Sequence, residues 1–361
     1  MKDLKPLRER IDSLDDQMLE LLAERAKVVG EVADAKRGSG LPWYQPERER
    51  QIIDRLTGRS AGRFPVDAVH AVFREVMSAC LALQKRLSVA FLGPQGSYSH
   101  LAARHVFGLA VEYHEAASLS GAVDMVRSGA SNYGIVPVEN STEGGVSTTV
   151  DALLEGGVFL RSETVLEISH ALLSHAPNLP SIERVYSHPQ ALGQCRMWLA
   201  RHLPQAQLIH TASTSQGARQ AADDPKGAAL GSALAGELFN LKVLARRCQD
   251  GEGNATRFLV IGAEDAPRSG KDKTTVVFSV SDGAGALYRV LGALADNNIN
   301  MSKIESRPSK QKAWDYVFVA DLEGHRQDEP VAKAITTLQE RCPMVKILGS
   351  YPRHDGPPIS P

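Results

Sequence analysis

Two sets of polar side chains stand where apolar ones would be expected. In the first, Thr256 and Arg257 sit side by side in GEGNATRFLVIG, where a glycine-rich turn runs into an apolar strand. A hydroxyl and a guanidinium fork can donate to a departing oxygen and hold a carboxylate, with no nucleophile, metal or nucleotide loop. In the second, Arg25 interrupts an apolar helical stripe, and Lys36 lies a rotation of ~20° and ~16 Å further along, so both cations reach one small dianion. Arg8 is ~25 Å from Arg25 on the same helix and can share that ligand only from a second subunit. Arg48, Glu49 and Gln84 add to this set, and buried Arg, Lys and Gln need polar partners that a polyanion would supply. Solvated flank positions for Arg8 and Lys36, with Arg25 snorkelling or paired to a carboxylate, are the alternative.

The elements that must position these residues fall into three regions. Leu4, Leu7, Ile11, Leu14, Met18, Leu21, Val28 and Val32 form one stripe of a long helix, which RGSGLP, with Gly38, Gly40 and Pro42, should stop. A short helix after Pro46 and another over about Asp67 to Leu87 complete an all-helical region, 1–87. From LSVAFLGPQGSYSHLAA onward, strands such as YGIVPV, RVYSH and AALGS alternate with Ala-rich helices, an α/β pattern over 88–264. After the polar linker AEDAPRSGKDK, residues 274–353 read βαββαβ, a small ferredoxin-like α+β unit with its last helix over about Glu329 to Arg341. The Pro- and Gly-rich end, 354–361, is expected to be mobile.

Composition narrows the function classes. In 361 residues, 41 Lys and Arg against 42 Asp and Glu leave a net charge of -1, so nothing favours nucleic acid or an anionic membrane. Cys80, Cys195, Cys248 and Cys342 are widely spaced and form no CxxC pair, which argues against a zinc site or a disulfide framework. The charged N-terminus has no signal-peptide core and no apolar run approaches the ~20 residues of a membrane span, so a cytoplasmic enzyme needing no cofactor or metal is expected.

LRERIDSLDDQMLELLAERAKVVGEVADAK followed by PERE resembles the helical chorismate mutase family. The resemblance implies rearrangement of chorismate to prephenate, which needs only a site that holds the folded conformer and stabilises charge on the breaking ether oxygen. Arg8 from a partner chain, Arg25 and Arg48 would then hold the substrate carboxylates, Lys36 and Gln84 would donate to the ether oxygen, and Glu49 would accept from the ring hydroxyl. Gln45 and Cys80 replace an aspartate and a serine that can occur at these positions, changes expected to alter affinity only.

In the central region ENSTEGGV, YSHPQ and TRFLVIG resemble prephenate dehydratase, whose fold is a pair of α/β subdomains similar to periplasmic binding proteins. The implied reaction is loss of carbon dioxide and water from prephenate. Thr256 would contact the departing hydroxyl and Arg257 a carboxylate, unless Arg257 pairs with a structural acid. Asn140, Ser141, Thr142, Ser187 and Gln190 would complete the hydrogen-bonding shell, with Phe258 packed behind; any one of these clusters would also suit plain helix capping. Ser97, Tyr98 and Ser99 depart from the family's Thr-Phe form and are expected only to line the site.

GALYRVLGALADNNINMSKIESRP resembles the ACT domain, which pairs side by side and binds amino acids at the seam. L-phenylalanine is the implied inhibitor, contacting Gly285, Ala286, Leu287 and Asn300, with Glu305, Ser306, Arg307 and Pro308 lining the seam opposite. Ala284 stands where relatives often have proline, and a purely dimerising module is the alternative. The order of regions is that of the bifunctional chorismate mutase/prephenate dehydratase family, which implies a homodimer or a dimer of dimers. A mutase joined to a prephenate dehydrogenase would need a GxGxxG loop, and GEGNAT and GAGALY lack the third glycine. A non-catalytic amino-acid sensor would bind phenylalanine without turnover.

Overall fold

The computed structural model describes residues 4–37, 43–60, 62–281, 283–308 and 316–360. The chain forms two compact units: residues up to Leu87 with Phe107–Glu112, and Ser88–Val106 with Tyr113–Pro361.

The first unit holds α1 (Lys5–Lys36), α2 (Pro46–Ser60) and α3 (Val66–Gln84). Proline in the first turn of α1 pre-sets its φ, and Lys36 in the last turn opposes the partial negative charge of the C-terminus. The glycines and proline expected to stop this helix lie outside the described residues. Ala33 is buried and Arg25, Ala26 and Val29 are half-buried, so this face of α1 meets α3. The apolar stripe faces elsewhere: Leu7, Ile11, Leu14, Met18 and Leu21 are each more than half exposed. Nothing within the described chain covers it.

In the second unit the chain passes through β1 (Ser88–Leu92), α4 (Tyr98–Phe107), β2 (Glu112–Ala116), α5 (Leu119–Arg127), β3 (Tyr133–Asn140), the two-residue β4 (Gly144–Gly145), α6 (Ser147–Leu154) and β5 (Phe159–Glu167). It crosses to a second sheet built of β6 (Ala171–Ser174), β7 (Arg184–Ser187), β8 (Gln207–His210), β9 (Gly227–Gly231) and β10 (Lys242–Ala245), with α7 (Pro189–Gln194), α8 (Arg196–His202), α9 (Thr214–Ala222) and α10 (Ala233–Leu238) interleaved. It then returns through β11 (Ala255–Gly262) to the first sheet, ordered β2-β1-β3-β11-β5. The second sheet runs β10-β6-β9-β7-β8. Two crossings between two sheets give the pair of α/β subdomains expected from the sequence, with ligand-competent strand ends facing a cleft.

The last part is β12 (Asp272–Ser279), α11 (Ala286–Asp296), β13 (Met301–Pro308), β14 (Tyr316–Glu323), α12 (Glu329–Arg341) and β15 (Met344–Pro352), in a sheet ordered β13-β14-β12-β15. This is the expected βαββαβ fold. It is not packed as a separate body: Val277, Val319, Leu348 and Tyr351 share one apolar core with Val150, Leu153 and Leu160 of the first α/β subdomain.

The C-terminal residues differ from the expectation of a mobile tail. Ile359 bridges Leu166 in parallel, exchanges backbone hydrogen bonds with Val165 and Glu167, and the Ser360 hydroxyl donates to Glu167. β5 is the edge of its sheet, and a free edge offers unpaired N–H and C=O groups to any strand within reach. Pro- and Gly-rich composition gave no hint of that edge.

Candidate active sites

In the helical unit the Arg25 guanidinium donates to the Cys80 thiol at 2.7 Å, joining α1 to α3. Gln84 lies one turn beyond Cys80, and its Oε1 is buried with no hydrogen-bond partner among the described residues. An orphaned amide oxygen at such depth costs ~1–3 kcal/mol, a cost that a ligand hydroxyl would offset. Lys36 Nζ reaches the Trp43 carbonyl at 3.5 Å; burial holds its pKa below the ordinary lysine value, with Glu47 opposing. Glu49 is half-buried on α2, and burial, reinforced by the charge of Glu47, pushes its carboxyl up to about 8. Arg48 is exposed and reaches Gln51 at 3.4 Å, and Arg8 is exposed on the first turns of α1. Arg25, Gln84, Lys36 and Glu49 are thus held by the three-helix packing, whereas Arg8 and Arg48 are not drawn into it.

The second unit carries a cleft of about 1180 Å³ between its two α/β subdomains. Asn140, Gln190, Thr256 and Phe258 line it, as do Ser97, Tyr98 and Ser99. Thr256 pairs with Asn140 across β11 and β3, and the Asn140 amide donates to its hydroxyl at 2.9 Å. Phe258, two residues on, points to the same face and is 1 % exposed.

Three other residues expected in the shell are turned elsewhere. Ser187 is fully buried and donates to the Leu230 carbonyl at 2.7 Å, tying β7 to β9. Ser141 bonds the Gly253 carbonyl and the Ala255 amide, closing the turn before β11. Thr142 is exposed, gives its backbone N–H to Asn140, and turns its hydroxyl to Asn254 Oδ1 at 3.4 Å without itself lining the cleft.

Arg257 is the main correction. Strand alternation sends it to the face of β11 opposite Thr256, away from the cleft lining. There its Nε bonds Glu163 at 2.6 Å, Nη1 bonds Asp321 on β14 at 2.6 Å, and Nη2 bonds the Tyr351 hydroxyl on β15 at 2.9 Å. Burial works against its charge, but Tyr351, Asp321 and Glu163 hold its pKa well above the ordinary arginine value. Lys273 adds a second cation 2.8 Å from Glu163. The guanidinium fork anchors the third sheet to the first and is not free for a substrate carboxylate.

Sequence similarity covers the three regions in order. Residues 7–85 match chorismate mutase type II, 89–266 prephenate dehydratase and 274–340 the ACT domain. The bifunctional chorismate mutase/prephenate dehydratase of Aquifex aeolicus (strain VF5) is 43% identical over 357 residues, covering 98% of this chain and 99% of that protein. The chain belongs to the bifunctional chorismate mutase/prephenate dehydratase family. The Escherichia coli (strain K12) member is 34% identical, covering 99% and 98% of the two chains. Among solved structures, prephenate dehydratase from Arthrobacter aurescens in complex with L-Phe is 36% identical at TM-score 0.69, covering 76% of this chain and 92% of that one. The Staphylococcus aureus enzyme is 28% identical at TM-score 0.65, covering 73% and 100%.

In this bifunctional enzyme the raised carboxyl of Glu49 makes the stability of the helical unit pH-dependent. The folded unit binds a proton there that the unfolded chain has lost, so its stability falls as pH rises from the ordinary carboxylate range to about 8. Above that, a carboxylate would face the dianionic substrate. The mutase kcat/KM is expected to fall as pH rises through about 8, and Glu49→Gln to flatten that limb; an unchanged limb in the variant would assign it to another group.

The ACT region of the enzyme places its expected effector residues unequally. Gly285 precedes α11 at φ +75, a conformation that only glycine adopts without strain, and Leu287 is half-buried against the ACT core. The Ala286 amide bonds the Gly283 carbonyl, and the Asn300 carbonyl accepts from Glu323. Alternation along β13 leaves Ser306 and Pro308 exposed while Glu305 and Arg307 face the dehydratase. Glu305 pairs with Lys303, which also reaches Glu139; Arg307 is 6 % exposed, donates to the Ser147 carbonyl at 3.0 Å and pairs with Asp151. Arg307 therefore binds α6 and does not line an open seam.

Sequence reading missed three groups lining the dehydratase cleft. His170 touches the Tyr98 hydroxyl through Nδ1 at 2.8 Å and Gln194 through Nε2 at 2.9 Å, and Asn254 donates to the same Gln194 oxygen at 3.3 Å. Burial lowers the His170 pKa against the opposing Gln194 bond, and raises that of Tyr98. Asn254 could have been found, since it precedes Thr256 by two in a strand-like run; His170 breaks an apolar run, and only the β5 to β6 crossing brings it to the cleft.

Proposed function

We propose that the chain catalyses two successive steps of L-phenylalanine biosynthesis in the cytoplasm, works as a homodimer or dimer of dimers, and is inhibited by L-phenylalanine bound to its ACT region. The observation that carries the dehydratase assignment is the Thr256 hydroxyl, held by Asn140 in a cleft lined from both subdomains.

In the helical unit, Arg25 and Arg48, with Arg8 from a second copy, hold the two carboxylates of chorismate, while Lys36 and Gln84 stabilise charge on the ether oxygen. The C–O bond breaks as the new C–C bond forms, so the site has only to fix the conformer and meet that charge. The exposed Leu7 to Leu21 stripe supports pairing, because a second copy covering it would bring Arg8 to the site that one chain leaves incomplete.

In the cleft, the electron pair of the ring carboxylate's C–C bond becomes ring π density as the C–O bond to the ring hydroxyl breaks. Carbon dioxide and hydroxide leave, and a solvent proton turns hydroxide into water. Prephenate dianion thereby becomes phenylpyruvate monoanion. Aromatisation supplies the driving force, and Thr256 donates a hydrogen bond to the departing oxygen. Gly285 at the start of α11 supports an amino-acid site, since the positive end of a helix attracts a carboxylate.

The test is a time course with chorismate alone, in EDTA and without NAD, following prephenate and phenylpyruvate, then repeated with L-phenylalanine. Prephenate should rise and pass into phenylpyruvate, L-phenylalanine should slow the second phase, and sedimentation of the same sample should give a multiple of two chains. Phenylalanine binding without turnover would replace this reading with the sensor.

A further inference from the structure

Two backbone amides fix the direction of a hydrogen-bond chain that ends on Thr256. The N–H groups of Thr142 and Glu143 both donate to Asn140 Oδ1, at 3.0 and 3.1 Å. A backbone N–H cannot accept, so the oxygen of Asn140 must face these two and its NH2 must face the other way. That NH2 lies 2.9 Å from Thr256 Oγ1 and 2.9 Å from Asn254 Oδ1, and its two hydrogens go to these nearer acceptors, the Ala255 carbonyl being further off at 3.3 Å. Asn254 must therefore present its oxygen to Asn140 and its own NH2 to Gln194, at 3.3 Å. Gln194 in turn presents Oε1, which leaves His170 only the choice of carrying its proton on Nε2, 2.9 Å away. Nδ1 is then bare and accepts from the Tyr98 hydroxyl at 2.8 Å, the nearer of that hydroxyl's two acceptors, with the Ser169 carbonyl at 3.0 Å.

The consequence falls on the reacting end. Thr256 Oγ1 is an acceptor toward Asn140, so its own hydrogen points elsewhere. No protein acceptor for it lies within hydrogen-bonding distance among the described residues, and Thr256 lines the cleft. We propose that Asn140 and Asn254 are positioning residues that act through Thr256: they hold its hydroxyl as a donor to the departing oxygen and lock His170 in the Nε2–H tautomer. This rests on the dehydratase reading above and goes beyond it, since it removes Asn140 from direct contact with substrate.

The isosteric Asn140→Asp variant reverses the end of the chain. An ionised carboxylate keeps the bonds from Thr142 and Glu143 but places an oxygen against Thr256, which draws the threonine hydrogen away from the cleft. The kcat for prephenate should fall about 100-fold at neutral pH, within the range for losing one such donor, while mutase activity of the same sample stays unchanged. Lowering the pH should restore part of the loss, because a protonated carboxyl can again donate; Asn140→Ala should show no such recovery. A dehydratase rate within about threefold of wild type, or a loss equal at every pH, would overturn the proposal. Wild-type turnover of prephenate in the same series tests the underlying reading separately. Should Asn140→Asp fail to fold, ¹⁵N NMR of the wild-type protein decides: the ring signals absent from His170→Gln should report Nε2–H, and a proton on Nδ1 would refute the chain.

Discussion

Thr256→Val should abolish dehydratase turnover, with a loss of about 10²–10³ in kcat for prephenate, and leave chorismate mutase activity intact. Valine keeps the branched shape that packs beside Phe258 but has no hydroxyl, so the strand pairing with Asn140 survives while the only donor defined by the chain from Thr142 and Glu143 is gone. Thr256→Ser retains a hydroxyl and should keep most of the rate. Steady-state rates with prephenate and with chorismate on one preparation check both halves. Loss of mutase activity in step with dehydratase would show that the variant is misfolded, and a dehydratase rate near wild type would take Thr256 out of the mechanism.

The second large effect is on stability. Arg257→Leu removes the guanidinium that lies between Glu163 and Asp321, whose side chains are each 2% exposed. Lys273 still compensates Glu163, and the Thr275 hydroxyl still donates to Asp321, but no cation remains on Asp321 in that network. An uncompensated buried carboxylate costs about 3–5 kcal/mol, with Lys273 and Thr275 pulling this toward the lower end. The urea midpoint of the second unit should fall, and Asp321→Asn in the same chain should recover much of the loss, a non-additivity expected of two groups in contact. If Arg257 held a substrate carboxylate instead, the variant would raise KM for prephenate and leave the midpoint where it was. The measurement thus separates the role expected from sequence from the one the structure gives.

The contrast between Thr256 and Arg257 shows how far sequence reading extends. NATRF marked the start of a strand with polar residues on both of its faces, and period-2 alternation says that neighbours point oppositely. It does not say which face meets a cleft and which meets another sheet; that was decided by β14 and β15 bringing Asp321 and Tyr351 under β11. Gln190 and Phe258 were legible because each follows a strand-end motif by a fixed offset. Ser187 sat in an equally suggestive motif, yet its hydroxyl serves the neighbouring strand. His170 and Gln194 lie far from Thr256 in sequence, and no local pattern links them.

The sequence by itself determined the three regions, their fold classes and the family, because helical and strand periodicities and contiguous motifs are local properties of the chain. It also determined that α1 carries an apolar stripe broken by Arg25. Tertiary structure alone decided that this stripe stays uncovered among the described residues of one chain, that the C-terminal residues add to the edge of β5, and that the ACT sheet shares a core with the dehydratase. The physical reason is the same in each case: a pattern fixes which face of an element is apolar or charged, but the partner for that face comes from residues distant in sequence, and only packing selects it.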